Sequence, residues 1–104
     1  MLFASGDEGA NCGDGNKYIA ETPGSSPWVT AVGGTGGSSP GQEFAIGLSS
    51  GGFSSRWPQP AWQADAVKAY MASNGSHALP PKSRGYDTTK RGYPDIAAQD
   101  PTKP

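Results

Sequence analysis

The stretch that decides the fold is Leu2-Phe3-Ala4-Ser5-Gly6-Asp7-Glu8-Gly9. A short apolar run leads into an acid flanked by glycines, which is how a buried strand ends when it presents one polar side chain at its carboxyl edge. Gly6 and Gly9 let the backbone turn sharply and come close to whatever Asp7 faces. Because Asp and Gly are also the default residues of an ordinary turn, the rest of the chain must decide between a turn and a site.

The composition indicates a loop-rich segment of a larger domain. The chain has 104 residues, of which 16 are glycine and 10 are proline, and only 34% are hydrophobic. So few apolar side chains make an independent small fold less favourable than a slice of a domain whose main core lies elsewhere. The net charge is −1 and the basic residues are not clustered, so we expect no nucleic-acid partner. No apolar run has the length of a membrane span, and we expect no membrane partner.

Four strands are predicted along the chain. The clearest covers residues 28–32, because aromatic and β-branched side chains fill it between Pro27 and Gly33. Residues 2–4 are predicted to be a buried strand, and residues 44–48 and 93–98 to be short ones. The glycine-rich segments between them, residues 33–41 and 49–54, are predicted to be a flexible linker and a turn.

One clear helix is predicted around residues 60–73, starting at Pro60, a favoured first-turn residue. Trp62, Ala66 and Tyr70 recur at helical spacing, so we expect them to form its packing face. The pair Asn74-Gly75 is predicted to end the helix, with a residue in the left-handed conformation.

Three further features carry little functional weight. Cys12 is the single cysteine and cannot form an internal disulfide. Asn74-Gly75-Ser76 matches the glycosylation acceptor pattern, which arises often by chance. His77 is the only histidine, and a surface position is expected because no second ligand or nucleophile lies near it in sequence.

Four stretches carry a family pattern. They are Leu2-Phe3-Ala4-Ser5-Gly6-Asp7-Glu8-Gly9, Ser25-Ser26-Pro27-Trp28-Val29-Thr30-Ala31-Val32-Gly33-Gly34-Thr35, Ser50-Gly51-Gly52-Phe53-Ser54 with its continuation through Trp62 and Tyr70, and Arg91-Gly92-Tyr93-Pro94-Asp95-Ile96-Ala97-Ala98. In this order they resemble the sedolisin family of serine-carboxyl peptidases. The chain departs from the family at Thr22, where Phe is common, and at Gly51-Gly52, where a glycine triplet is usual.

The resemblance implies a fragment of a subtilisin-like α/β fold with a mostly parallel sheet. It also implies hydrolysis of peptide bonds by a Ser, a Glu and an Asp, with another Asp in the oxyanion hole that Asp7 matches. The family's Glu and Asp lie on an upstream helix, and its Ser lies in a downstream Gly-Thr-Ser motif that this chain lacks. The family's calcium site is also downstream, so we expect no metal ligand and no cofactor in this segment. Residues 1–104 are therefore expected to be the central part of a catalytic domain, inactive alone.

Asp7 in an oxyanion hole has a definite chemical requirement. The hole needs a hydrogen-bond donor aimed at the charge that develops on the tetrahedral intermediate. A carboxyl group donates only when protonated, which requires acidic surroundings or a raised pKa. The resemblance therefore implies a peptidase that works in acid, with its Glu as general base. By analogy with subtilisin, Ala4, Ser5 and Gly6 are expected to form one wall of the pocket for the residue before the scissile bond.

The sequence leaves several functions open. The preferred one is an endopeptidase or tripeptidyl peptidase acting at acidic pH on peptide or protein substrates, with its own propeptide as a second partner. The resemblance implies a secreted, lysosomal or vacuolar protein and pairs Cys12 with a downstream cysteine. The alternatives are a non-catalytic remnant that binds peptides or a propeptide, a Gly/Pro-rich structural protein, and a subtilisin-branch fragment. The last is disfavoured because that branch has Asn where Asp7 stands.

Overall fold

The structure is a computed structural model that describes residues 1–10, 17–37, 39, 41–73 and 79–100. Its strands are β1 (Leu2–Ala4), β2 (Thr30–Gly36), β3 (Phe44–Ala45), β4 (Gly52–Pro58), β5 (Lys90–Tyr93) and β6 (Ile96–Gln99). The helix α1 (Ala64–Ala72) follows a 3₁₀ turn at Ala61–Gln63, and a second 3₁₀ turn covers Lys82–Arg84.

Strand β2 organises the larger sheet. β1 pairs with it in parallel, with Ala4 opposite Val32, and β6 pairs with it in parallel from Val32 onward. The short β3 runs antiparallel to the end of β2. The result is a mixed α/β arrangement with a mostly parallel sheet, one helix and many loops, consistent with the expected fragment of a subtilisin-like fold.

Strands β4 and β5 form a separate antiparallel pair. Gly52 lies opposite Tyr93 and Phe53 opposite Gly92, and the register shifts before Pro58 meets Lys90. The ring of Phe53 stacks on Tyr86 with centroids 6.3 Å apart, which closes one side of this pair.

The linker predicted at residues 33–41 is wrong in its first part, because β2 continues through Gly36. β2 also begins later than predicted, at Thr30. The glycines of β2 reflect close packing. A Cβ on Gly33 would lie 2.8 Å from Pro94 Cγ, and one on Gly34 would lie 2.9 Å from Ile46 Cδ1. Glycine in a strand commonly marks such a close approach of neighbouring groups.

The predicted turn at residues 49–54 is also wrong in its second half, where β4 begins at Gly52. This glycine has a φ of +148°, and the Tyr18 ring lies where its side chain would be, with Cζ at 2.6 Å from an ideal Cβ. Because Gly52 has no side chain, the Tyr18 ring can pack directly against its backbone.

The helix predicted around residues 60–73 is confirmed, with Pro60 preceding the 3₁₀ turn that opens it. Its predicted packing face is wrong for the described part of the chain: Trp62 and Tyr70 are 66% and 62% exposed. Ala66 is exposed as well. Likewise β1 is a strand but not a buried one, since Leu2 is 70% exposed. Among the described residues, no element covers these faces.

Some sequence features lie outside the described residues. They are Cys12, the Asn74-Gly75-Ser76 tripeptide and His77. Within the ranges that the structure describes, no helix combines the length and the apolar character needed to cross a bilayer.

Candidate active-site segment

The Asp7 loop, residues 6–9, leaves the carboxyl end of β1. Ser5 is buried, and its backbone N–H donates to the carbonyl of Val32 at 2.8 Å, so the sheet ladder continues up to the loop. Gly6 then adopts a φ of +112°, a conformation open to glycine and strained for other residues. The side chain of Asp7 is exposed to solvent. Asp7 thus lies exposed just after the carboxyl end of β1, and its role in a site stays a prediction.

The Asp7 loop is fastened to residues 48–50 by three hydrogen bonds. The backbone N–H of Ser50 donates to the Gly6 carbonyl at 2.9 Å. The Ser50 hydroxyl accepts from the Glu8 N–H at 3.0 Å, and the Gly9 N–H donates to the Leu48 carbonyl at 2.8 Å. The loop is therefore held along its length by backbone and serine groups, with the Asp7 side chain left outside these contacts.

A shallow cavity of about 190 Å³ lies beside the loop. It is lined by the predicted site residues together with neighbours from the sheet and the segment before β4: Ala4, Ser5, Gly6, Asp7, Val32, Gly33, Gly34, Ile46, Leu48, Ser49 and Asp100. The Ser49 hydroxyl accepts from the Gly34 N–H at 2.9 Å and lies 3.4 Å from the Ser5 hydroxyl oxygen. The structure thus brings Ala4, Ser5, Gly6 and Asp7 to one concave surface.

Arg91 and Asp95 form a buried ion pair. The Arg91 guanidinium is fully buried and binds both Asp95 carboxylate oxygens, at 2.8 and 2.7 Å. It also donates to the carbonyls of Ser26, Val29 and Gly92. Asp95 in turn accepts from the Ala31 N–H at 2.8 Å, which anchors the ion pair to β2. This two-point contact fixes the relative orientation of the two side chains, and both charged groups have hydrogen-bond partners.

Two residues of the 3₁₀ turn before α1 contact this ion pair. The Gln63 side chain accepts from the Gly92 N–H at 2.8 Å and donates to the Gly92 carbonyl at 3.1 Å. The Trp62 ring lies 5.7 Å from the Arg91 guanidinium carbon, within cation–π range. We call Arg91, Asp95, Gln63, Gly92 and Trp62 the Arg91 node. In the sequence, the only local signal of this ion pair is a pair of opposite charges four residues apart, Arg91 and Asp95.

Two titratable groups are perturbed outside the Asp7 loop. Burial raises the pKa of the Tyr18 phenol well above its usual value, and its hydrogen bond to the Tyr93 hydroxyl acts in the same direction. Hydrogen bonds from Thr89 lower the pKa of the exposed Asp87 carboxyl. Neither group lines the cavity beside the Asp7 loop.

No cluster of three or more His, Cys, Asp or Glu side chains suited to a metal ion occurs within residues 1–10, 17–37, 39, 41–73 and 79–100. The expectation that this segment holds no metal ligand remains a prediction.

Comparison with known proteins gives one consistent result. No protein-family model matches the chain. Tripeptidyl-peptidase 1 of Rattus norvegicus is 44% identical over 104 residues, that of Bos taurus 42% and that of Homo sapiens 41%. Each match covers 94% of this chain and 18% of the relative, so the chain spans less than a fifth of the length of these proteins. The chain is therefore a tripeptidyl-peptidase-like segment, which supports its resemblance to the sedolisin family.

Proposed function

We propose that residues 1–104 form the central segment of the catalytic domain of a serine-carboxyl peptidase, in which Asp7 supplies the oxyanion hole. The observation that carries this proposal is the placement of Asp7: an exposed carboxyl on a fastened, glycine-flanked loop at the carboxyl edge of β1, beside a cavity. The similarity to tripeptidyl-peptidase 1 supports the same activity class.

The chemistry assigned to Asp7 is hydrogen-bond donation. A serine outside this segment attacks the scissile carbonyl, and the carbonyl oxygen becomes negatively charged in the tetrahedral intermediate. A protonated Asp7 donates its O–H to that oxygen and stabilises it, whereas an ionised Asp7 repels it. Activity therefore falls as pH rises and the carboxyl ionises. The enzyme works in acid, which fits a secreted or lysosomal location.

Substrate orientation is assigned to the cavity wall. Ala4, Ser5 and Gly6 line the cavity, which supports assigning them the contact with the substrate residue before the scissile bond. The partners are a peptide or protein substrate and the enzyme's own propeptide. The nucleophile, the general base and any calcium site belong to other parts of the catalytic domain, so this segment alone does not turn over substrate.

The test uses a chimera in which this chain replaces the matching stretch of rat tripeptidyl-peptidase 1. Turnover of a tripeptide-releasing fluorogenic peptide is measured from acidic to neutral pH. Asp7→Ala is expected to lower kcat by about 100- to 1000-fold, the usual effect of removing one oxyanion donor. Asp7→Asn keeps a neutral donor, so the pH profile is expected to extend towards neutrality.

The matched control is Glu8→Gln, which changes the adjacent exposed acid and keeps the backbone N–H that binds Ser50. It is expected to leave kcat and the pH profile unchanged. A chimera that folds and binds peptide without turnover would favour the non-catalytic alternative. Full activity of Asp7→Ala would overturn the role assigned to Asp7.

A further inference from the structure

We propose that Ser50 is a positioning residue for Asp7, fixing the direction in which the Asp7 side chain leaves the backbone. This inference rests on the proposed function, because it assigns Ser50 a role in catalysis through Asp7. It concerns a serine that lies 42 residues from Glu8 in sequence and outside the Asp7 loop.

Ser50 binds both peptide groups that flank Asp7. Its backbone N–H donates to the carbonyl of Gly6, in the peptide unit that precedes Asp7. Its hydroxyl accepts from the N–H of Glu8, in the peptide unit that follows Asp7. One residue thus restrains the backbone on either side of Asp7, and the Cα–Cβ direction of Asp7 is set by these two peptide planes.

The side chain of Ser50 is closely packed. Ser50 is 1% exposed. An ideal Cβ on Gly6 would lie 2.8 Å from the Ser50 hydroxyl oxygen, which is closer than real Cβ contacts, so the hydroxyl packs directly against the Gly6 backbone.

The Asp7 loop has a glycine at each end. Gly6 and Gly9 flank Asp7 and Glu8, and Gly6 has a φ of +112° and Gly9 a φ of +57°. Glycines on both sides give this loop more backbone freedom than other residues would. An oxyanion donor acts only when it is held in place before the charge develops. Ser50 supplies the restraint that the glycines do not.

The test is Ser50→Ala in the rat chimera described above, with kcat and KM measured separately at acidic pH. Loss of a restraint that matters only in the transition state lowers kcat and leaves KM nearly unchanged. We expect kcat to fall about tenfold, less than the effect of removing the Asp7 donor itself. An unchanged kcat in a folded Ser50→Ala chimera would overturn the inference.

Ser54→Ala is the matched control. Ser54 is likewise 1% exposed, and its hydroxyl accepts from two backbone N–H groups, those of Arg56 and Trp57, at 3.0 Å each. It makes no hydrogen bond to the Asp7 loop. Its substitution is expected to lower the melting temperature at least as much as Ser50→Ala while leaving kcat unchanged. An equal loss of kcat in both variants would show a general structural effect and contradict the inference.

A double-mutant cycle separates this inference from the proposed function. If Ser50 acts through Asp7, then Ser50→Ala has no further effect on kcat in the Asp7→Ala background. A tenfold loss in both backgrounds would overturn the positioning role and leave the role of Asp7 intact. No loss from Asp7→Ala would overturn the proposed function first.

Ser50→Cys covers the case in which the alanine variant does not fold. It places a larger sulfur atom where the hydroxyl oxygen lies and retains a weak acceptor for the Glu8 N–H. We expect a loss of kcat between that of the parent and that of Ser50→Ala, again with KM unchanged. A folded Ser50→Cys chimera with parental kcat and a parental pH profile would contradict the inference.

Discussion

The Asp7 loop and the Arg91 node are held by opposite means. The Asp7 loop presents its carboxyl to solvent and is fastened through its backbone by Ser50 and Leu48. The Arg91 node buries its charges, with Arg91 fully inaccessible and Asp95 only 15% exposed, and satisfies them with hydrogen bonds. One region keeps an ionisable group available for chemistry, and the other uses ionisable groups as structural connections.

The difference teaches where the stability of this segment resides. The buried hydrophobic residues in the described part of the chain are Ala31, Phe53 and Tyr93, whereas the buried polar and charged ones are Ser5, Ser25, Ser26, Ser50, Ser54, Gln63 and Arg91. Hydrogen bonds to buried polar groups therefore carry much of the tertiary structure, and an unsatisfied one is costly. Changes at the Arg91 node should affect folding, and changes at Asp7 should affect catalysis.

The largest effect on stability is expected from Asp95→Ala. It leaves the buried Arg91 guanidinium without its counter-charge and removes the acceptor of the Ala31 N–H. Breaking a buried pair in this way typically costs about 3–5 kcal/mol. The measurement is urea denaturation of the rat chimera followed by circular dichroism.

The control for this variant is Asp65→Ala, which removes an exposed carboxylate from the first turn of α1. A surface change of this kind costs about 0.5 kcal/mol or less. Similar destabilisation by both substitutions would show that the Arg91 node is no stronger than a surface contact. Asp7→Ala, measured in parallel, should resemble the Asp65 variant in stability.

A smaller effect is expected from Gly52→Ala. The new Cβ would fall on the Tyr18 ring beside the start of β4, and the backbone at Gly52 has a φ of +148°. Overpacking and backbone strain together should destabilise the chimera by about 2–4 kcal/mol.

Gly41→Ala isolates the backbone contribution. Gly41 also has a positive φ, +82°, and an added Cβ would meet nothing within 4 Å. Strain alone should then cost about 1 kcal/mol. If the two variants shift the urea midpoint equally, the close approach of Tyr18 to Gly52 is not a significant restraint.

The smallest effect concerns acid tolerance at Asp87, in the loop before β5. Hydrogen bonds from Thr89 hold the pKa of Asp87 below its ordinary value of 3.8. A lowered pKa in the folded state means a stabilising contribution that is complete above the unfolded value and is lost as pH falls through the folded one. The carboxylate thus stays ionised further into the acidic range in which the proposed enzyme works.

An NMR titration of the Asp87 carboxyl carbon measures this pKa directly. Thr89→Val removes the hydroxyl that donates to Asp87 at 2.7 Å and should raise the pKa towards 3.8. An identical titration curve in the two proteins would show that the Thr89 hydroxyl does not stabilise the charged form.

Local sequence patterns were sufficient for some elements of the fold. The helix after Pro60 follows from helical periodicity, the strand character of β1 from its short apolar run, and that of part of β2 from its β-branched residues. Glycine misled the prediction at Gly33 to Gly36 and at Gly52 because composition does not distinguish a flexible glycine from one packed against Pro94 or Tyr18. The exposed Trp62 face shows the same limit: periodicity identifies a face, not what covers it.

The candidate site divides in the same way. Asp7 could be singled out as a candidate because a glycine-flanked acid after an apolar run is a local signal, and the family resemblance supplied its predicted role. The contacts of Ser50 with Gly6 and Glu8, and of Asp95 with Ala31, join residues far apart in sequence, and no local pattern encodes such pairs. Those contacts required the fold to be known.

The parallel pairing of β2 with β6 has a consequence for folding during synthesis. Ala31 and Asp95, at the start of that pairing, are 64 residues apart. At about 5–20 residues per second, β2 waits on the order of 3–13 s after translation before its partner strand exists. Throughout that interval its peptide groups on one edge have no ladder partner, and unpaired strand edges favour aggregation. This edge of β2 is therefore open to pairing with other chains until residues 96–99 have been synthesised.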